Sequence, residues 1–451
     1  MTKIDRDNNT RQIPGPQGLS LVKSLFEYSR TPLDFSLKCA HQYGDIVSLS
    51  IGSIRNYLLN DPSLIEEVLS KQNQNFTKDI SYRILKKTFG DGLLLSDGEL
   101  WKRHRKLMQT AFNSDRIATY ASGIIEETSQ MLSTWREEII DIHHEMSQLT
   151  VKVITQSMFG VDTTETTREI IKALDTIMLQ YVHQAEVFFL LPTWLPTIGN
   201  WKAHRATKQL NEIVNNIIEQ RRQFPKDDLL SIMLRVRDEK GDGLSDRELQ
   251  DEVMTLLLAG HDTTANALTW TLMLLAQNPE AEAKLVAEVQ SVLQGLPTIN
   301  ELPKLRYTEM VLKEAMRLYP PAWALGREVT RDCTIGDYRF TRGTTIYFSQ
   351  WVMHRDKRFF NNPEQFLPER WQDNLEQRLP RCAYFPFGAG SRVCIGKVFS
   401  MMEATLTLAM VVQKFSFTLV QEHSIQLLPS ITLRPKHGVK MRLTRRDALS
   451  N

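Results

Sequence analysis

The chain has 451 residues, 42% of them hydrophobic, with 55 basic against 53 acidic side chains; this allows a large buried core and excludes the net positive field of a nucleic-acid binder. Four cysteines, Cys39, Cys333, Cys382 and Cys394, show neither C-x-x-C pairing nor a matching histidine spacing, which argues against a zinc site or disulfide framework and for reduced thiols in a cytoplasmic protein. The opening "MTKIDRDNNTRQIPGPQGLS" lacks the apolar stretch of a signal peptide or a membrane anchor, so no transmembrane anchor is expected.

In chain order, "QIPGPQG" predicts a stiff, extended lead-in, because proline fixes its own φ and biases the preceding residue away from helix; residues 1–15 are expected to be flexible. The alternation in "DIVSLSIGSIRNYLLND" predicts a pair of strands. From about Asp61 to Asn278, apolar residues recur every third or fourth position, as in "ELWKRHRKLMQTAF", "TREIIKALDTIMLQYV" and "KQLNEIVNNIIEQRR", and predict helix after helix. Among these, "AEVFFLLPTWLPTIGNW" is an apolar connector broken by Pro192 and Pro196, read either as a buried loop or as a lid over an apolar pocket. Strand patterns return in "DCTIGDYRFTRGTTIYFS", "FSFTLVQ" and "IQLLPSITLRP". No linker, repeat or low-complexity tract intervenes. The expected architecture is mainly α, with a smaller β-rich region drawn from both ends, in a single domain spanning 1–451.

"DEVMTLLLAGHDTTANALTWTLMLLAQNP" predicts one long helix, about 40 Å at 1.5 Å per residue, ending at Pro279. Its flanks are apolar on every side, but Gly260, His261, Asp262, Thr263, Thr264 and Asn266 occupy the middle. An aspartate at a bilayer centre costs about 3 kcal/mol even on a lenient scale, so the helix reads as the spine of a core. Gly260 weakens it by about 1 kcal/mol relative to alanine, and a threonine hydroxyl can bond back to the preceding turn. Either the polar groups are satisfied locally, or the helix widens into a groove where Asp262 and Thr263 pass protons to a bound reactant.

The stretch "FPFGAGSRVCIG" places a thiol among three glycines ahead of an apolar helical run. Glycines let backbone approach a bulky group closely, and unpaired N–H groups at a helix start favour a thiolate. A lone cysteine is more often an inert hydrophobe, and a nucleophile is the next reading; the glycines and Arg392 favour a bulky, anionic cofactor over both.

Phe387, Gly390, Arg392, Cys394 and Gly396 reproduce the pattern F-x-x-G-x-R-x-C-x-G, and through it the chain resembles the cytochrome P-450 family of haem-thiolate monooxygenases. Ala259, Gly260, Asp262, Thr263 and Thr264 are similar to that family's oxygen-binding motif. Glu314 and Arg317 match its E-x-x-R, Pro368 to Arg370 its P-E-R, and Trp101 with Arg105 its W-x-x-x-R. The motifs run in family order from 101 to 396.

The resemblance implies haem b (iron protoporphyrin IX) between the long oxygen-binding helix and the helix following the cysteine loop. It implies Cys394 as the metal ligand, with Phe387, Gly388, Gly396, Ala259 and Gly260 against the cofactor. Trp101, Arg105 and Arg392 are implied at the propionates, joined by Arg327, whose alternative is an ordinary surface arginine. Glu314, Arg317 and Arg370 are implied as a structural triad, and Asp262 with Thr263 as the proton-delivering pair. The activity implied is insertion of one oxygen atom from O2 into a hydrophobic substrate, a fatty acid or terpenoid, by hydroxylation or epoxidation. Electrons would come from an external ferredoxin with its reductase or a flavodoxin, since the chain stops soon after Cys394. Lys102, Arg103, Lys106, Arg381 and Lys397 are read either as a docking patch or as solvated charge. Family topology assigns the pocket to 89–95, the apolar connector, Leu256, Ala259, Ala324, Leu325 and Ile431, with Arg83 or Arg434 available for a substrate carboxylate. A monomer is expected. Rival readings are a peroxygenase or hydroperoxide-rearranging member of the same fold, a non-enzymatic haem-binding sensor, and a cysteine hydrolase, for which no histidine and acid stand in a recognisable motif.

Overall fold

The computed structural model describes residues 13–17, 24, 27–50, 55–160, 164–186 and 197–446. The chain forms two compact units, each assembled from separate segments. The apolar connector, at 187–196, lies outside the described residues, as does most of the lead-in.

The first unit comprises Met1–Ile84, Trp323–Pro363 and Gln377–Cys394. Its strands are β1 (Ile46–Ser48), β2 (Asn56–Leu59), β3 (Phe76–Lys78), β5 (Leu325–Val329) and β8 (Thr345–Phe348), in the order β1-β2-β8-β5-β3. The predicted strand pair is present, with Ile46 opposite Leu59 in antiparallel register. Ile65, Leu69, Phe340, Phe348 and Phe385 fill the core. Residues 13–15 are not a loose lead-in: the Ser48 N–H donates to the Pro14 carbonyl at 2.7 Å, and any Cβ at Gly15 would strike the Ser48 carbonyl. A second hairpin, β6 (Cys333–Ile335) with β7 (Tyr338–Phe340), turns at Gly336, φ +53°.

The second unit comprises Leu85–Ala322, Glu364–Glu376 and Ile395–Asn451 and is dominated by helices. Three small strands, β4 (Ile139–Asp141), β9 (Phe415–Leu419) and β12 (Lys440–Arg445), pair as β4-β12-β9, and β10 (Leu427–Pro429) pairs with β11 (Leu433–Pro435). The three-residue strands β3 and β4 interrupt a stretch read as helical, because three residues are too few to display alternation. The long helix runs Asp246–Gln277, about 48 Å at 1.5 Å per residue. It starts ahead of its apolar run because Ser245 and Glu248 form a reciprocal capping box. It stays α-helical throughout, so of the two readings of its middle the widening at Gly260 is absent. Gly260 instead admits a neighbour: a Cβ there would lie 2.8 Å from Ile154 Cδ1. The helix Ile142–Val153 packs along one side, and Lys397–Lys414 and Arg306–Leu318 along others, around Leu268, Leu272, Leu312, Leu408 and Val411.

Candidate active site

The cysteine loop belongs to the first unit. Gly388 (φ +70°) and Gly390 (φ +69°) adopt left-handed backbone that other residues rarely tolerate, and they fold the loop so that the Cys394 N–H donates to the Phe387 carbonyl at 2.9 Å. Gly390 also abuts the Leu69 carbonyl, with no room for a side chain, while Asn73 Nδ2 donates to Ser391 Oγ at 2.8 Å. The loop is pinned from two sides, and Cys394 is the exposed member of the four cysteines. Cys39 and Cys382 are buried, and burial pushes their thiols up to about 11 and about 12, leaving them inert.

Arg327, on β5, is only 9% exposed, so it is no ordinary surface arginine. Its Nη1 donates to the Gly326 carbonyl at 2.8 Å, and among the described residues no carboxylate pairs with it. A buried guanidinium without a counter-ion is costly, and a ligand carboxylate would relieve it. Burial pushes the Tyr82 hydroxyl up, while the positive charges of Arg327 and Arg392 act in the opposite direction; both arginines therefore act on one buried phenol in this unit. An accessible thiol in a glycine-lined loop, with an arginine in the same unit that has no carboxylate partner among the described residues, fits a flat, anionic, thiolate-ligated group such as haem.

In the second unit, Trp101 and Arg105 stand one turn apart on the helix Gly98–Ala111, both half-buried. His104, between them in sequence, points the other way and is fully buried: Nδ1 meets Glu252 Oε1 at 2.7 Å and Nε2 meets Glu248 Oε1 at 3.2 Å. Burial works against its charge, but the two carboxylates outweigh that and raise its pKa above the usual histidine value.

On the long helix every residue from Asp251 to Leu275 is buried except Leu256, Ala259, Gly260 and Thr263. Spaced at i, i+3, i+4 and i+7, these form one accessible stripe, and all four are sequence-predicted site residues. Thr263 Oγ1 donates back to the Ala259 carbonyl at 2.7 Å. Asp262 faces away from the stripe, 1% exposed, where Arg434 Nη2 lies 2.5 Å from Oδ1 and Thr432 donates its hydroxyl to Oδ2. Burial pushes this carboxyl up, yet the Arg434 charge, His261 and the Thr432 hydrogen bond together hold it below the usual range, so Asp262 is ionised. Neither Thr432 nor Arg434 was anticipated as its partner, since nothing in local spacing links residues so far apart.

The triad is present: Glu314 accepts from Arg317 Nε and Nη2 at 2.9 and 2.8 Å, from Arg370 Nε at 2.8 Å, from Trp371 Nε1 at 2.9 Å and from the Leu367 N–H at 3.0 Å. Two further sets of cations have carboxylate partners. The residues read as a basic patch are each matched by a carboxylate: Lys102 by Glu99, Arg103 by Asp238 and Glu248, Lys106 by Glu239, Arg381 by Glu66 and Lys397 by Glu376. Arg83 is held by Glu328 at 2.6 Å, and Arg434 by Asp262 and Asp175, so neither is a spare anchor for a substrate carboxylate. Ile431 on the second unit, and Ala324 and Leu325 on the first, are half-buried.

The cytochrome P450 family model matches residues 13–441. Cyclooctatin synthase of Streptomyces melanosporofaciens is 36% identical over 94% of both chains. Cyclooctat-9-en-7-ol 5-monooxygenase of the same organism is 33% identical over 89% of this chain and 88% of its own. Pentalenene oxygenase of Streptomyces avermitilis is 30% identical over 96% and 97%. With the cysteine loop, the stripe and the triad in place, the chain belongs to the cytochrome P450 family and is an O2-dependent haem monooxygenase.

Proposed function

We propose that this monooxygenase hydroxylates or epoxidises a neutral terpenoid, in the cytoplasm, with electrons from a separate ferredoxin or flavodoxin. The observation that carries the substrate reading is the pairing of Arg83 with Glu328 and of Arg434 with Asp262 and Asp175. With both cations neutralised, the stripe of Leu256, Ala259, Gly260 and Thr263 offers a substrate apolar surface and a single hydroxyl. A fatty acid would leave its carboxylate without a partner there, whereas a terpene or a terpene alcohol would not. Similarity to pentalenene oxygenase and cyclooctat-9-en-7-ol 5-monooxygenase, whose names specify an alkene and an unsaturated alcohol, supports the same class.

Bound haem supplies the oxygen-activating chemistry, and Cys394, Arg327, Arg392, Trp101 and Arg105 are the residues that would hold it. Thr263 presents its hydroxyl on the stripe, and Asp262, ionised behind it and held by Arg434 and Thr432, fixes the adjoining turn and would act as the base that takes up a proton and relays it toward Thr263 Oγ1. An intact pair favours O2 activation over peroxygenase or rearrangement chemistry. The test is a titration of the purified haem protein with a cyclic terpene hydrocarbon, a terpene alcohol and a long-chain fatty acid, following the iron spin state, then turnover under isotopically labelled O2 with a surrogate ferredoxin system. Terpenes that shift the spin state and acquire label support the reading; a response confined to the fatty acid sinks it.

A further inference from the structure

The eight residues between the helix Ile80–Phe89 and the helix Gly98–Ala111 are seated on the long helix through Asp251. Asp251, 6% exposed, accepts the Asp91 N–H on Oδ2 at 2.7 Å, while Arg247 Nε holds Oδ1 at 3.1 Å. Glycines flank the contact. Gly90 sits at φ +76°, and a Cβ on it would collide with the Asp251 carboxylate; a Cβ on Gly92 would collide with Thr255 Oγ1 and the Asp251 carbonyl. The turn closes on itself, with the Leu95 and Ser96 N–H groups both donating to the Gly92 carbonyl at 2.8 and 2.9 Å, and Lys86 pairs with Asp91 at 2.5 Å.

Asp251 and Thr255 are one turn apart and form a ridge directly beside the accessible stripe, since Thr255 adjoins Leu256. The segment that continues from the seat, Leu93 and Leu94, is half-buried, whereas Leu95 and Ser96 are buried. A turn held by backbone against a carboxylate and a carbonyl, with no side chain between, has little freedom in height or tilt. Any movement of the seat is passed to Leu93 and Leu94.

We propose that Asp251 is a specificity-determining positioning residue: by seating the Gly90–Asp91–Gly92 turn it sets where Leu93 and Leu94 stand against the N-terminal end of the stripe, and so which substrate carbon is presented for oxygenation. The proposal rests on the monooxygenase reading above. It does not make Asp251 a catalytic residue, because the carboxylate is consumed by the loop and by Arg247.

Two variants approach the seat from opposite sides: Asp251→Ala removes the acceptor, and Gly92→Ala pushes a methyl against the Asp251 carbonyl and Thr255 Oγ1 while leaving the sequence of the long helix unchanged. Asp251→Asn, whose amide oxygen still accepts from the Asp91 N–H, is the conservative rescue. Amide hydrogen exchange over 89–97 reads the seat, and the dissociation constant and product ratio for a terpene that shifts the wild-type spin state read its consequence. In Asp251→Ala and Gly92→Ala, exchange over 89–97 rises while haem uptake matches wild type. Substrate binding weakens by about tenfold and the ratio of oxygenation products changes, as expected of a sub-ångström to ångström misplacement. Asp251→Asn stays within about twofold of wild type in all three readouts. Unchanged exchange in both variants overturns the seat. Faster exchange with an unchanged dissociation constant and product ratio overturns the specificity role. Failure of the wild type to take up haem overturns the monooxygenase reading and the specificity role with it, while the exchange data still decide whether the seat exists.

Discussion

Replacing Glu314 by alanine tests how much of this fold depends on one carboxylate. Five donors converge on it, from Arg317, Arg370, Trp371 and the Leu367 backbone, and both Glu314 and Arg317 are completely buried. In Glu314→Ala the Arg317 guanidinium keeps its bond to the Gln365 carbonyl, at 3.0 Å, but loses the carboxylate that balances its charge while staying buried. Breaking a buried pair from one side costs about 3 to 5 kcal/mol, and the orphaned indole and amide add to it, though not additively. Against a total stability of about 5 to 15 kcal/mol, that is a large fraction of what holds the protein folded. The expected result is a denaturant midpoint lowered by at least about 3 kcal/mol at unchanged m-value, with loss of bound haem on gel filtration. Glu314→Gln, which keeps an acceptor but removes the charge, should fall between. A further replacement of Arg317 by methionine in the alanine background should recover part of the loss, because it removes the stranded cation. A Glu314→Ala protein within about 1 kcal/mol of wild type would refute the claim that the carboxylate is balancing a buried charge.

Two further outcomes follow from particular contacts. His104 has its pKa raised by Glu252 and Glu248, so its stabilising contribution is complete below the unfolded value near 6.5 and disappears as pH rises through the folded value. The stability advantage of wild type over His104→Gln, read from urea midpoints across pH, should therefore shrink as the solution becomes alkaline, and an advantage that grows there would contradict the assignment. In the cysteine loop, alanine at Gly388 meets nothing closer than the Arg392 carbonyl at 3.9 Å and bears only the cost of its positive φ, about 1 to 3 kcal/mol, whereas alanine at Gly390 bears that cost and strikes the Leu69 carbonyl. Haem incorporation should fall much further in Gly390→Ala than in Gly388→Ala; equal loss would mean that only backbone conformation matters.

The motifs around Trp101, Asp262, Glu314 and Cys394 were legible because each packs its chemistry into a few consecutive residues, and the helices were legible because their apolar period repeats over several turns. Apart from the Glu314–Arg370 pair, which the resemblance implied, what escaped was what is set by pairing across the chain. Arg434 looked available for a substrate, yet it is committed to Asp262, 172 positions away; of the five cations read as a patch or as solvated charge, Lys102 pairs with Glu99 three residues before it, while Arg103, Lys106, Arg381 and Lys397 meet carboxylates that only the fold brings near. For Arg327, the burial on the interior strand β5 with no carboxylate partner among the described residues, which speaks against an ordinary surface arginine, leaves no mark on the sequence. The seat at Gly90 and Gly92 was equally hidden, because two glycines in a loop announce a turn and not what lies beneath it.

The long helix owes its fixed register to polar groups that an apolar core would not require. Glu252 is tied to His104, Asp251 to the Asp91 N–H, and Asp262 to Arg434 and Thr432, each partner contributed by a different segment of the second unit. An apolar helix could slip by one turn, about 5.4 Å, and find other hydrophobic neighbours; here such a slip would break all three ties and leave buried charges unpaired. If the ties are independent, substitutions at opposite ends should not influence each other. Asp251 and Asp262 are eleven residues apart, about 16 Å along the helix, beyond the distance at which effects usually couple. The stability losses of Asp251→Ala and Thr432→Val should therefore sum in the double variant to within about 0.5 kcal/mol, whereas Thr432→Val and Arg434→Met, which share Asp262, should depart from additivity by more than that. Coupling of comparable size in both pairs would mean that the helix shifts as a whole when one tie is cut, and the stripe of Leu256, Ala259, Gly260 and Thr263 would then be mobile in register rather than fixed.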